Sequence, residues 1–168
     1  MDLSRIVRHL FTTEGSLTRA FPEADLAAIE KATASSELRH DGEIRFAVEA
    51  ALDTAALLHG ESARERAIEV FASLHVWDTE QNNGVLIYLL LADRDVEIVA
   101  DRGIHSKVGD AQWEAICRSM ETACGEGRYS DAVIAGIEAV AEKLALHFPP
   151  SGEPRNELPD TPALLKPS

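Results

Sequence analysis

Hydrophobic positions along the chain change period several times, and each change predicts an element. Leu3, Ile6, Val7, Leu10 and Phe11 recur at the spacing of an amphipathic helix, with Arg5, Arg8 and His9 on its other side. Pro22 suits the first turn of a second helix, whose stripe is Leu26, Ile29 and Leu38. After the Asp41-Gly42 turn signal, Ile44, Phe46 and Val48 alternate with Arg45, Ala47 and Glu49, which predicts a strand with one polar face. Residues 51–60 read as irregular or briefly helical, closing at Gly60. Ser62 and Glu65 form a capping box, and the helix they open is expected to carry Ala67, Ile68, Phe71 and Leu74 inward.

The stretch 85–91 is apolar at nearly every residue. A strand of that kind is covered on both faces, so it should be central in its sheet. A turn at Asp93-Arg94-Asp95 leads to an alternating strand at 96–100. Asp110 can cap a helix bearing Trp113, Ile116, Cys117, Met120 and Cys124, which Gly125 and Gly127 end. Ser130 and Asp131 start a last helix, with Val133, Ile134, Ile137, Val140, Ala141 and Leu144 on its apolar face and Pro149-Pro150 as its stop. The order α-α-β-α-β-β-α-α predicts a three-layer α/β/α sandwich. Its small mixed sheet has a parallel pair with a right-handed crossover, an antiparallel hairpin strand, and helices on both faces. The expected organisation is an N-terminal helix over 1–20, an α/β domain over 21–148 and a disordered Pro-rich tail over 149–168.

The chain has 168 residues, enough for one domain with a core. Sixteen basic against 29 acidic residues give a net charge of −13, which argues against a nucleic-acid ligand. No apolar run is long enough for a signal peptide or a bilayer span, so a cytoplasmic location is expected. Cys117 and Cys124 lie seven positions apart on one predicted helix, about 10 Å along its axis, too far for a disulfide. The first helix is locally basic. It is expected to pack on its own domain, with docking to an anionic membrane surface or a protein partner as the alternative.

The strand directions gather oxygen-bearing side chains at two ends of the sheet. One end collects His40, Asp41, Glu43, Asp78, Asn82, Asn83, Asp101, Arg102 and His105; the other collects Glu49, Asp53, Asp93, Arg94 and Asp95. Asp, Glu and Asn suit Ca²⁺ or Mg²⁺, and the lack of Cys or His pairs at ligand spacing disfavours Zn²⁺. The expected metal ligands are Asp78, Asn82, Asn83, Asp101 and Glu43, with Arg102 as a substrate-binding residue and Asp93 with Asp95 as the alternative metal site. The plainer reading makes Asn82-Asn83-Gly84 a turn and Asp93 and Asp95 solvated hairpin residues. No nucleophile elbow, Cys-His signature or phosphate-cradling loop is present.

The strand GEIRFAVEA, the segment WDTEQNNGVLIYLLLADRDVEIVADRGI and the helix pair DAQWEAICRSMETACGEGRYSDAVIAGIEAVAEKLA resemble the TPM-domain family in content and order. The resemblance implies a compact α/β domain, a divalent-cation site in some members and acid-phosphatase activity in plant thylakoid members. Other members are accessory proteins of membrane complexes. Many members carry a signal peptide and a membrane helix, which are not seen in this sequence, so it looks closer to short cytosolic bacterial members. The expected function is a divalent-cation-binding accessory or interaction module. The alternatives are a metal-dependent phosphomonoester hydrolase and a membrane- or partner-docking domain acting through the first helix.

Overall fold

The computed structural model describes residues 3–152 and 156–166. Its elements run α1 (Leu3–Phe11), α2 (Glu14–Ala20), α3 (Glu23–Glu37), β1 (Glu43–Glu49), α4 (Thr54–His59), α5 (Ala63–Ser73), β2 (Gly84–Leu90), β3 (Asp95–Ala100), α6 (Arg102–Val108), α7 (Asp110–Gly125), α8 (Tyr129–His147) and β4 (Ala163–Leu165). The sheet order is β3-β2-β1-β4, with β1–β2 parallel and β2–β3 antiparallel. Every residue of β2 is buried. Val85, Ile87 and Leu89 join the core cluster of α2, α3, α6, α7 and α8, while Leu86, Tyr88 and Leu90 join the cluster of α4 and α5. Because successive strand side chains point to opposite faces, one apolar strand nucleates both layers and gives the expected three-layer sandwich.

Registers such as Phe46↔Ile87 and Ile87↔Ile98 stack large apolar side chains on the α7–α8 side. Gly84 opens β2 because a Cβ there would stand 2.0 Å from the carbonyl oxygen of Val76. On the opposite face, Glu49 is fully buried and accepts hydrogen bonds from Tyr88 Oη at 2.8 Å and Arg66 Nε at 2.9 Å. The outer edge of β3 is hooked by side chains: Arg64 donates to the Ile98 carbonyl at 2.6 Å and Val96 N–H donates to Glu121 Oε1 at 3.2 Å.

The capping box at Ser62 and Glu65 is present, but α5 turns Ala63, Ala67 and Val70 inward and leaves Ile68 half exposed. Two short helices were not expected. α2 is set by a Thr13/Ser16 capping box and buries only Leu17, and α6 buries only Ile104 and Val108, so neither shows a full apolar period. Both cysteines are free, as expected, and burial pushes the Cys117 thiol up to about 12 and the Cys124 thiol up to about 11.

The tail differs most from expectation. Of the tail expected to be disordered, residues 156–166 run back along the sheet, and β4 pairs in parallel with the end of β1, Val48 opposite Leu164, while residues 153–155 and 167–168 lie outside the described residues. Glu43 carries the clasp: its carboxylate accepts the amides of Glu157 at 3.0 Å and Leu158 at 3.1 Å. Arg45 donates to the carbonyls of Pro159 and Thr161, and Leu158 enters the α4–α5 core at 6 % exposure. A segment whose composition is typical of disorder is here tied down through its backbone by two side chains of β1, Glu43 on its amides and Arg45 on its carbonyls. Deleting residues from 151 onward should lower the unfolding free energy by about 3–5 kcal/mol, from loss of Leu158 burial and of the Glu43 donors. Urea denaturation checks this, and an unchanged midpoint would show that the clasp contributes nothing.

Candidate functional site

At the first end of the sheet the structure gives several of the expected ligands structural partners. Glu43 is fully buried and committed to the tail amides, and burial pushes its carboxyl up to about 7. Asp78 is exposed in the turn after α5, and Arg102 is exposed as the first residue of α6. Asp101 caps α6, accepting Arg102 N–H at 2.7 Å. Asn83 is fully buried and its Nδ2 donates to the Asp41 carbonyl at 3.0 Å, so it struts the start of β1. Asn82 holds φ 51°, the left-handed geometry that Asn tolerates. His40 is buried beside the Gly42 carbonyl at 3.0 Å, and burial lowers its pKa; His105 faces Asp110 at 3.6 Å.

Asn83 and Asp101 do come together at the backbone level, since Asp101 N–H donates to the Gly84 carbonyl at 2.9 Å. Two oxygens there, Oδ1 of Asn83 and Oδ2 of Asp101, are buried without a hydrogen-bond partner. Gly103 packs so closely that a Cβ would lie 2.4 Å from the Asn82 carbonyl oxygen. Among the described residues, no group of three or more His, Cys, Asp or Glu side chains is arranged to hold a metal ion. Glu37, which no sequence pattern singled out, accepts Ile44 N–H at 3.1 Å, and burial pushes its carboxyl up to about 9.

The second end is organised by Asp93. Its Oδ2 accepts Arg5 Nε at 2.8 Å and its Oδ1 accepts Arg8 at 2.8 Å. His9 Nε2 lies 3.1 Å from Oδ2. His9 Nδ1 accepts the Leu52 amide at 3.0 Å, which fixes the ring hydrogen on Nε2, facing Asp93. Arg5 also donates to the Glu61 carbonyl at 2.8 Å. Burial alone would raise the Asp93 carboxyl, but hydrogen bonds from His9, Arg8 and Arg5 outweigh it and hold the group well below the usual carboxylate range. Asp95 moves the other way, up to about 6, through burial and the charges of Glu97, Glu121 and Asp93. Of the remaining residues at this end, Glu49 lies in its buried network and Asp53 caps α4 through Ala56 N–H at 2.7 Å.

This attachment inverts α1. Its basic side faces the domain, and Leu3, Val7, Leu10 and Phe11 stand outward at 68, 44, 62 and 80 % exposure. The helix packs on its own domain through its basic side, because Asp93 offers the arginines and His9 a largely buried anion, while Ile6 is the apolar residue of the helix packed against the core. Beside Phe11 opens a cleft of about 1100 Å³ at the carboxyl end of β2, bordered by Arg8, Arg19, Arg94, Arg128 and Tyr129 together with Asp25, Asp93 and Asp131. Sequence reasoning named Arg8 and Arg94 but missed Arg19 and Arg128, since the four are scattered over separate segments. The available signal was basic residues recurring near the helix ends and turn that flank this edge of the sheet.

The model of the TPM domain matches residues 16–143. The chain belongs to the TPM-domain family. The TPM domain is similar to the solution structure of BA42 from the psychrophilic bacterium Bizionia argentinensis, at 28 % identity and a TM-score of 0.75, covering 86 % of this chain and 95 % of that one. It shares its fold with the N-terminal domain of cg2496 from Corynebacterium glutamicum, at 12 % identity and a TM-score of 0.53, covering 74 % of each chain. No curated protein matches. The family match begins inside α2, so α1 lies outside the matched residues of this TPM domain.

Asp93→Ala should release α1 without unfolding the TPM domain. Hydrogen exchange at amides 5–11 should accelerate at least about tenfold while β2 stays protected. Because the Asp93 pKa is lowered on folding, the attachment is present above its ordinary value and lost only as pH falls through the lowered one. Unchanged exchange in the variant would show that α1 is held by other contacts.

Proposed function

We propose that this TPM domain is an interaction module that docks through the outward face of α1. The observation that carries the reading is the inverted helix: four apolar side chains lie exposed on one short element, and contiguous exposed apolar surface marks interaction sites. The polar side of α1 is already satisfied by Asp93, so docking needs no rearrangement of the helix. An accessory role is what the family resemblance implies. No helix among the described residues is long and apolar enough to cross a membrane. The test is a photo-crosslinking phenylalanine analogue in place of Phe11 in the producing cell, with the same analogue at exposed Glu142 of α8 as control. Discrete light-dependent adducts to protein or lipid at position 11, read by mass spectrometry, and none at 142 are expected. No adduct at position 11 would remove the docking role.

A second reading, binding of Ca²⁺ or Mg²⁺ at the first end of the sheet, is supported by the unpartnered oxygens of Asn83 and Asp101. Both are hard donors of the type these cations prefer. Asn caps helices as well as Asp does, so Asp101→Asn removes the charge and keeps the cap on α6. The melting temperature of the parent should rise by about 5 °C at roughly a hundredfold excess of Ca²⁺ over Kd, and the rise should vanish in Asp101→Asn. A flat titration in the parent would discard the cation.

A further inference from the structure

We propose that the surface docked by α1 is an anionic lipid bilayer. The inference rests on the docking reading and adds the chemistry of the partner. Its first support is shape. At about 100° per residue, Leu3, Val7, Leu10 and Phe11 fall within an arc of about 100° on α1. They project from the domain at 44–80 % exposure, with Phe11 at the edge of the cleft. An interfacial helix inserts just such an arc among acyl chains, whereas a folded partner would need a matching furrow.

The second support is charge. The chain carries −13, which opposes approach to an anionic surface from most directions. Beside Phe11 the acidic excess is locally cancelled. Arg8, Arg19, Arg94 and Arg128 border the cleft, supplied by α1, α2, the β2–β3 turn and the residue before α8. Asp93 is 11 % exposed and pairs with Arg8, and Arg128 pairs with Glu126, so Arg19 and Arg94 are the lining guanidiniums with no carboxylate partner among the described residues, beside Asp25 and Asp131. Guanidiniums spread over an open cleft suit an array of headgroup phosphates better than a single acceptor. The third support is orientation: the Asp93 contacts fix which side of α1 faces away, and Arg8 and Phe11 of that helix line the same cleft as Arg19, Arg94 and Arg128.

The experiment is co-sedimentation of the full chain with vesicles of phosphatidylcholine containing about one third phosphatidylglycerol, against phosphatidylcholine alone. Partition onto the anionic vesicles should exceed that onto neutral ones at least about tenfold, and should fall about tenfold between roughly 0.05 and 0.5 M salt. Phe11→Asp should lower it about tenfold at unchanged melting temperature. Arg94→Glu combined with Arg128→Glu should lower it on anionic vesicles only. No partition onto anionic vesicles, equal partition onto both kinds, or indifference to Phe11→Asp would each overturn the proposal. Protein adducts at position 11 in cells without vesicle binding would keep the docking role and replace the bilayer with a protein. Loss of both adducts and vesicle binding would sink the two readings together.

Discussion

A strand with no polar face is the constraint on which this structure depends. Every side chain of β2 is buried, so each face requires its own layer, and no two-layer arrangement of this chain would satisfy it. The helices divide accordingly: α7 and α8 close one side, α4 and α5 the other. Fully burying each Leu, Ile or Val of β2 contributes about 1.5–3 kcal/mol, large against a whole-domain stability of about 5–15 kcal/mol. The polar groups that the sheet cannot avoid are then handled individually, as with Glu49 between Tyr88 and Arg66 and Glu43 against the returning tail.

Two charged hubs extend the domain beyond that core, by the same physics with different outcomes. Glu43 and Arg45 draw in a Pro-rich segment that brings one strongly apolar contact, Leu158. Asp93 draws in α1 by its basic side and so leaves the apolar side of that helix outward. In both cases a half-buried or buried ion outbids the hydrophobic pattern locally, because an unpaired charge at such a site is costly whereas an exposed Leu is not.

The elements whose apolar period is long were legible in the sequence. The buried run of β2, the alternation of β1 and β3, the stripes of α7 and α8, and the capping box of α5 all stand where the pattern predicts them. What was illegible lives in long-range pairing. Nothing local in Leu158, Ala163 or Leu165 announces a strand, since its partners lie more than a hundred residues away in β1. The side on which α1 docks depended on Asp93, 88 residues from Arg5. At the candidate site, the ends of the sheet were placed correctly from strand direction. Glu43 and Asn83, however, proved to be structural struts of the tail and of β1, since a buried carboxylate and a buried amide first satisfy the amides and carbonyls nearest to them.

The two margins of the sheet have a consequence for behaviour in concentrated solution. An open strand margin is a template on which further chains can add and grow into fibres. Here one margin is β3, where Arg64 and Glu121 already occupy the Ile98 carbonyl and the Val96 amide. The other is β4, a strand of three residues. Neither offers an incoming chain an uninterrupted run of free backbone groups. A molecule that presents exposed leucines and a phenylalanine on α1 can therefore associate through side chains while its sheet stays closed to polymerisation, which separates reversible adhesion from irreversible aggregation.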